Sequence, residues 1–454
     1  MLIKYETDSR KVTKGQTFVA IVGHTVDGHD YIESAITNGA ERLIVSKPGD
    51  YSIPYELVND TEEYLKNALV SEYSSNFNDL NFIGITGTNG KTTSCYLVYQ
   101  MLKCLGEKVA YMGTIGFYYN DQKIILNNTT PDTLTFYKLL LEAKENDINT
   151  IVMEVSSHAL CLERIAGIKF KVAGFTNLTE DHLDFHKDMD DYAIAKLKII
   201  NYLTDDAIML VNKDDETHQK FLDVYPCLTY GTNNCDYTIT NYDITPSKTT
   251  ISFSYDNTNY QITTNLTSKF NVYNYILALS IANKFGYSIN EILEITKDIY
   301  PPKGRCETYE VNNGYAVIDY AHTPDAVEKV IEAYTLLKKN KLITIVGCGG
   351  DRDNKKRPIM GNIATELSDY VIFTNDNPRT EDPKKIMQDI IAGVDKTNYE
   401  IIFDRKEAIA KAISKLEKED ILLILGKGHE DYQIIGHEKI HLDDSEEVKK
   451  HIKK

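Results

Sequence analysis

The chain has 454 residues, more than one hydrophobic core ordinarily supports, so two or three domains are expected. Its formal charge of −17 at pH 7 argues against nucleic acid or an anionic membrane surface as the main partner, because both demand clustered cations. No apolar run approaches the ~20 residues of a membrane span, and Met1-Leu2-Ile3-Lys4-Tyr5-Glu6 lacks the apolar core of a secretory signal, so a cytoplasmic chain without membrane insertion is expected.

Residues 1 to about 80 alternate short strands and helices. Residues 17–22 read as a buried strand, followed by a polar loop to Asp30, a helix near 31–38 and a strand at 42–45. The stretch Thr7-Asp8-Ser9-Arg10 reads as a turn and helix cap. Together these describe a small α/β module.

The apolar strand beginning at Asn81 runs into Gly87-Thr88-Asn89-Gly90-Lys91-Thr92-Thr93. Glycines let consecutive backbone N–H groups turn toward one anion, a helix opening at Lys91 adds its positive end, and the lysine supplies a point charge. Thr92 is then available to a magnesium ion. The spacing is a variant of G-x-x-x-x-G-K-[ST], since Ile85 stands five before Gly90 and the nearest glycines are Gly84 and Gly87. Leu97, Val98, Met101, Leu102 and Leu105 recur at helical spacing, and Gly106 ends that helix.

Residues 150–158 form an apolar run that carries Glu154 to the end of a buried strand, where a carboxylate can hold metal beside a phosphate loop. A strand at 171–175 precedes Asn177-Leu178-Thr179-Glu180-Asp181-His182-Leu183-Asp184-Phe185-His186, a segment rich in ligand-type side chains. Oxygen donors dominate and thiolates are absent there, which favours magnesium over zinc. In the helix 191–200, spacing alone makes Lys196 an ordinary surface lysine. A strand at 207–211 and an antiparallel excursion over 236–266 follow. Asn271 and Asn274 open another helix and share one of its faces, suited to an adenine edge or to capping.

Pro301-Pro302-Lys303-Gly304-Arg305 is the strongest linker signal. Beyond it, strands at 315–319, 342–346, 370–374, 400–403 and 421–425 alternate with helices at 325–338, 357–367, 383–393 and 406–417, which predicts a parallel, doubly wound sheet. Four strand ends carry Asp319-Tyr320-Ala321-His322, the glycine-rich 347–353, Asp376-Asn377-Pro378-Arg379 and Gly426-Lys427-Gly428-His429-Glu430, so these clusters outline one rim. The Gly347-x-Gly349-Gly350 run lacks the full dinucleotide fingerprint, and a nicotinamide reading is rejected. The cysteines Cys95, Cys104, Cys161, Cys227, Cys235, Cys306 and Cys348 are scattered without a C-x-x-C pair and are expected to be reduced and mostly buried.

In order and approximate spacing, the segments Gly87 to Thr93, Glu154 to His158, Asp319 to His322 and Gly426 to Glu430 resemble the Mur ligases, ATP-dependent amide-forming enzymes of peptidoglycan precursor synthesis. The resemblance implies an α/β protein of three domains: a small N-terminal α/β domain for the UDP-substrate (1–80), a central P-loop ATPase with a parallel sheet (81–300), and a C-terminal doubly wound, Rossmann-like domain for the amino acid (301–454). It implies that Ser9, His24, Thr25 and Val26 hold the uridine end, and that Thr129, Thr130, Ser156 and Arg164 hold the muramoyl-peptide portion. Residues Gly87 to Thr93 would bind ATP, with Asn271 and Asn274 on the adenine side and Arg305 and Asp319 approaching the nucleotide; Ser268 stands where the family usually has glycine.

Tyr192-Ala193-Ile194-Ala195-Lys196 is similar to the family's Tyr-x-x-Ala-Lys motif, whose lysine is carbamylated. By that resemblance Lys91, Glu154, His182 and carbamylated Lys196 form the catalytic centre, with Thr92, Glu154, His182 and Lys196 toward Mg2+. Asp376, Asn377, Pro378 and Arg379 resemble the motif of members that add meso-2,6-diaminopimelate to UDP-N-acetylmuramoyl-L-alanyl-D-glutamate. Arg352, Gly426 and Glu430 match positions around that amino acid. Arg379 can grip the second carboxylate, which lysine lacks. The expected partners are small molecules, and the chain is expected to be a monomer. Alternatives are a lysine-adding or folylpolyglutamate-type ligase, or a regulatory P-loop ATPase.

Overall fold

The computed structural model describes residues 2–23 and 26–452. His24 and Thr25, expected at the uridine end, lie outside the described residues. The chain divides into two compact units, one comprising residues up to Cys95 with Gly106–Val211 and Asp215–Cys227, the other Tyr96–Leu105, Asn212–Asp214 and the chain from Leu228 onward.

The first unit opens with a parallel sheet of Tyr5–Glu6, Thr17–Val19, Arg42–Val45 and Tyr55–Leu57, in that order. The predicted strand over 17–22 stops at Val19. Past it, Gly28 packs so closely on Ile21 that a Cβ there would lie 2.8 Å from the Ile21 backbone, and Val22 is left 54% exposed. The helix Thr61–Tyr73 starts where the Asp60 side chain accepts from Glu62 and Glu63 N–H groups, and it buries Leu65, Leu69 and Tyr73 at a spacing of four.

The larger sheet of this unit runs in the order Leu203–Asn212, Phe170–Phe175, Asn81–Thr86, Thr150–Glu154, Val109–Gly113, all parallel. Two short antiparallel strands, Gly116–Tyr119 and Gln122–Ile124, extend it. The central strands are buried along their length, which is why they read as apolar runs and not as alternation. Parallel pairing brings every strand's carboxyl end to one edge. Glu154 therefore lies opposite Ile85, two residues before the glycine turn.

In the second unit the expected antiparallel excursion is Tyr237–Ile244, Thr249–Tyr255 and Thr258–Thr264. The helix Lys269–Phe285 follows and ends at Gly286, whose φ of 138° suits only glycine. A six-stranded sheet has the order Glu307–Val311, Gly314–Asp319, Ile421–Leu425, Leu342–Val346, Tyr370–Phe373, Tyr399–Ile401. All pairs but the first are parallel, and the helices Pro324–Thr335, Lys356–Leu367, Pro383–Ile391 and Arg405–Ser414 match the predicted alternation. Beyond Arg305, the antiparallel strand Glu307–Val311, the hairpin Tyr432–Ile435 with Glu438–His441, and the helix Asp444–Lys449 were not anticipated.

All seven cysteines are free, as expected, but only Cys95, Cys306 and Cys348 are buried; Cys161, Cys227 and Cys235 are half-buried and Cys104 is exposed. Among the described residues, no helix is long and apolar enough to cross a membrane.

Candidate active site

The glycine turn of the first unit is shaped by its neighbours. Gly87 has φ 146°, and a Cβ there would lie 1.8 Å from the Thr176 hydroxyl, so the turn closes only around glycine. The segment after Phe175 braces it: Thr88 N–H donates to Asn177 O at 2.8 Å, Asn89 N–H to Asn177 Oδ1 at 2.9 Å, and Thr176 Oγ1 donates to Asn89 O at 2.7 Å. Lys91 folds back over the turn, its Nζ 2.9 Å from Gly87 O and 2.8 Å from Thr88 O. These carbonyls occupy the ammonium that a phosphate would claim.

Glu154 is buried and accepts from four donors. Thr92 Oγ1 and Thr114 Oγ1 reach Oε2 at 2.9 and 3.1 Å, while Thr114 N–H and the Tyr111 hydroxyl reach Oε1. Gly113 makes room, since a Cβ there would fall 2.2 Å from Glu154 Oε1. Burial, with Glu154 next to it, pushes the Tyr111 hydroxyl well above its ordinary pKa, so it stays a donor. A hydroxyl beside a buried carboxylate is a hard-oxygen pair that fits Mg2+, an ion that takes its remaining ligands from phosphate and water.

Lys196 departs from the surface position that its spacing suggests. It is 1% exposed, its Nζ donates to Gly87 O at 2.7 Å, and it lies 4.2 Å from the centre of the Tyr192 ring. Burial first, and Lys91 second, hold its pKa well below that of an ordinary lysine. Tyr192 in turn stacks on His186 at 4.8 Å between centroids, and His186 Nε2 is 2.9 Å from Ser157 Oγ. His182 sits outside this stack. It is exposed, in a left-handed conformation with φ 54°, with its ring 5.0 Å from His158 and 6.2 Å from Tyr192. Among the described residues no group of three or more His, Cys, Asp or Glu side chains could hold a metal. The structure thus joins Thr92 to Glu154, brings Lys91 and Lys196 to one carbonyl, and leaves the exposed His182 outside this group.

The residues expected around the muramoyl-peptide gather near Glu154. Thr130 Oγ1 donates to Glu154 O at 2.8 Å and accepts from Ser156 N–H at 3.1 Å; Arg164 Nη1 donates to Thr130 O at 3.2 Å; Thr129 Oγ1 is 3.0 Å from Thr114 Oγ1. A cavity of about 760 Å³ in the same unit is lined by Ser9 and Val26, with Arg10, Tyr31, Lys66 and Asp132. Ser9 belongs to a short helical turn capped by Asp8, as expected.

In the second unit, Asn271 and Asn274 are buried and joined, Asn274 Nδ2 donating to Asn271 Oδ1 at 3.0 Å and Asn271 Nδ2 to Thr267 O at 2.8 Å. The preceding Ser268 has φ 80° and ψ 150°, a region that is essentially glycine's own. Arg305 lies over the Tyr320 ring at 4.7 Å. Asp319 accepts from the N–H groups of Cys306 and Ala321 at 2.8 and 2.9 Å; burial raises its pKa and Arg305 opposes the rise.

The rim clusters converge as expected. Asn377 Nδ2 donates to Glu430 Oε2 at 2.8 Å, Gln433 Nε2 donates to Asp376 O at 2.6 Å, and a Cβ on Gly426 would lie 2.7 Å from Asp376 Oδ2. Arg379 takes a left-handed backbone, φ 50°, held by its N–H to Ile434 O at 3.0 Å and by Gly436 N–H to its O at 2.7 Å. Its Nη1 donates to Gly350 O at 2.8 Å. Arg352 is exposed, its Nη1 on Asp351 O at 3.1 Å. Sequence reasoning gave no role to Lys427, Gln433 or the buried Arg357, although Lys427 stands inside a quoted motif.

A braced phosphate turn with a buried carboxylate in one unit, and a doubly wound rim carrying Arg379 in the other, define a nucleotide-dependent α/β enzyme. Family models described as Mur ligase family, catalytic domain; Mur ligase middle domain; and Mur ligase, glutamate ligase domain match residues 5–75, 85–282 and 304–428. The chain is 40% identical over 457 residues to a UDP-N-acetylmuramoyl-L-alanyl-D-glutamate–2,6-diaminopimelate ligase of Bacillus cereus, covering 98% of this chain and 93% of that one. A protein of the same name from Fusobacterium nucleatum is 41% identical over 461 residues, with 98% and 93% covered. A solved structure of a ligase so named superposes with a TM-score of 0.71 at 31% identity, covering 98% and 94%. The chain belongs to the Mur ligase family.

Proposed function

We propose that the protein joins meso-2,6-diaminopimelate to UDP-N-acetylmuramoyl-L-alanyl-D-glutamate, with ATP cleaved to ADP and phosphate, in peptidoglycan precursor synthesis. The observation that carries this reading is Arg379, held at the rim by the hairpin Tyr432–Ile435 and Glu438–His441, in a chain 40% identical to ligases of that name. A planar guanidinium grips a carboxylate with two parallel hydrogen bonds. Diaminopimelate offers a second carboxylate where lysine has only one, so with lysine the guanidinium keeps its carbonyl bond to Gly350 but lacks an anionic partner.

The D-glutamyl γ-carboxylate oxygen attacks the γ-phosphorus of ATP, the bond to ADP breaks, and an acyl phosphate forms. The diaminopimelate amine attacks the acyl carbon, the carbon–oxygen bond to phosphate breaks, and the amine sheds a proton as the amide forms. Neither step needs a protein nucleophile, so the chain acts by positioning and electrostatics. Lys91 leaves the carbonyls of Gly87 and Thr88 for the phosphates, whose N–H cradle is Gly87 to Thr93. Thr92 and Glu154 would hold Mg2+, which neutralises charge on the transferring phosphoryl group. Lys196 would extend the oxygen set as a carbamate: its buried amine, next to Lys91, favours the uncharged form that adds carbon dioxide and releases a proton. His182 completes the set by family resemblance.

Ser9, His24, Thr25 and Val26 take the uridine end; Thr129, Thr130, Ser156 and Arg164 take the muramoyl-peptide. Asn271, Asn274, Arg305 and Asp319 serve the nucleotide, and Arg352, Asp376, Asn377, Pro378, Arg379, Gly426 and Glu430 the amino acid. The three domains 1–80, 81–300 and 301–454 divide these tasks in a cytoplasmic monomer. Phosphate release measured with ATP, the UDP-dipeptide and each candidate amine tests the assignment. Release dependent on meso-diaminopimelate is expected; faster release with lysine, or full release without amine, would overturn it.

A further inference from the structure

Lys427 is fully buried beneath the rim of the second unit, yet none of the steps above uses it. Its Nζ lies 3.1 Å from Glu430 Oε2 and 3.2 Å from Asn377 Oδ1, with the Tyr432 ring centre at 5.5 Å. Asn377 Oδ1 also accepts from Ile434 N–H at 2.9 Å, and its Nδ2 donates to Glu430 Oε2 at 2.8 Å. With two donors on one side and an acceptor on the other, the amide has a single satisfied orientation, because a flip would set Nδ2 against Lys427 and Ile434 N–H.

Both bonds to Glu430 fall on the same oxygen. Lys427 and Asn377 therefore fix the carboxylate by Oε2, and Oε1 takes part in neither bond. Arg379 Nη1 lies 3.5 Å from Asn377 O, so the residue that ties down Glu430 also borders the guanidinium. A zwitterionic amino acid with a second carboxylate presents that pattern of charges.

We propose that Lys427 is a positioning residue for amino-acid recognition: from beneath the rim it locks Asn377 and Glu430 so that Glu430 Oε1 meets the amine while Arg379 meets a carboxylate. The inference rests on the assignment of Glu430 and Arg379 to the amino acid. Lys427 touches no substrate itself, so its loss acts on one substrate only.

Steady-state kinetics of the enzyme test it. Lys427→Met is expected to raise the KM for meso-diaminopimelate ~10- to 100-fold, the size of a lost hydrogen bond to a charged group, with the KM values for ATP and UDP-dipeptide unchanged. Lys427→Arg is expected to recover part of the loss. Lys427→Met combined with Glu430→Gln is expected to be no worse than Glu430→Gln alone, since one acts through the other. Additive losses, or three KM values rising together, would overturn the inference. Should Lys427→Met not fold, Asn377→Leu cuts the same link from its other end, and an unchanged diaminopimelate KM there is equally contrary. The unmodified chain separates the two failures: without diaminopimelate-dependent phosphate release in it, the ligase assignment falls and takes this inference with it.

Discussion

Lys91 and Lys196 point at one acceptor: the Gly87 carbonyl oxygen lies 2.9 Å from the first Nζ and 2.7 Å from the second. Two ammonium groups sharing a carbonyl within a buried site repel strongly, since little water screens them. The repulsion is relieved if Lys196 is uncharged, the direction in which its burial and Lys91 both push it.

An uncharged Lys196 is a nucleophile toward carbon dioxide. A carbamate carbon on Lys196 is expected in 13C NMR of the protein in 13C-bicarbonate, and its signal should vanish in Lys196→Ala. That variant is expected to lose activity by about 100-fold or more, the scale of removing one preorganised electrostatic group. An active Lys196→Ala enzyme, or an unchanged spectrum, would contradict the role.

Arg379 adopts φ 50° and is bonded on both backbone sides by the hairpin, so its guanidinium is delivered by a strained and tethered main chain. Arg379→Ala is expected to raise the KM for diaminopimelate by ~10- to 100-fold while leaving that for ATP unchanged. Equal effects on both would count against a carboxylate clamp.

Ser268 occupies a backbone region that costs a side-chain-bearing residue about 1–3 kcal/mol. Ser268→Gly removes that strain at the cost of a more flexible unfolded chain, and a net stabilisation of about 1 kcal/mol is expected. It should appear as a higher urea midpoint at unchanged slope.

The buried Arg357 pairs with Glu381 through its two terminal nitrogens, each at 2.9 Å, and with Asp389 at 2.8 Å. The hydrogen bonds from Arg357 lower the Glu381 pKa from 4.5 to about 2. A carboxylate depressed by folding contributes stability above its unfolded pKa and loses it as the pH falls through its folded value. Glu381→Gln should therefore cost about 1–3 kcal/mol at pH 7, and its deficit relative to the unmodified chain should shrink between about pH 4.5 and 2 in urea titrations. A deficit constant over that range would show that Glu381 is not held ionised by Arg357.

Much of this architecture was legible because buried parallel strands are written as uninterrupted apolar runs: Asn81–Thr86, Thr150–Glu154, Leu342–Val346 and Ile421–Leu425 each sit where their runs predicted. The hairpin Tyr432–Ile435 with Glu438–His441 escaped notice because its second strand is exposed throughout and shows no period. Lys196 illustrates a different limit. Helical spacing placed it on a surface, but its surroundings come from Gly87, 109 residues away, and spacing within a helix carries no trace of such a partner. Asn377 and Glu430 were recognisable by resemblance, whereas Lys427 emerged only from the distances that join them. Glycines told more than their motif did, since Gly87 and Gly113 are required by Thr176 and Glu154, both distant in sequence.

The phosphoryl group proposed to sit over Gly87 to Thr93 is expected to pass to a carboxylate and not to water. UDP-dipeptide carrying 18O in its D-glutamyl γ-carboxylate, turned over with ATP and meso-diaminopimelate, measures this directly. One 18O atom per released phosphate is the predicted result. Phosphate that carries no label from the carboxylate, and takes its new oxygen from solvent, would contradict it.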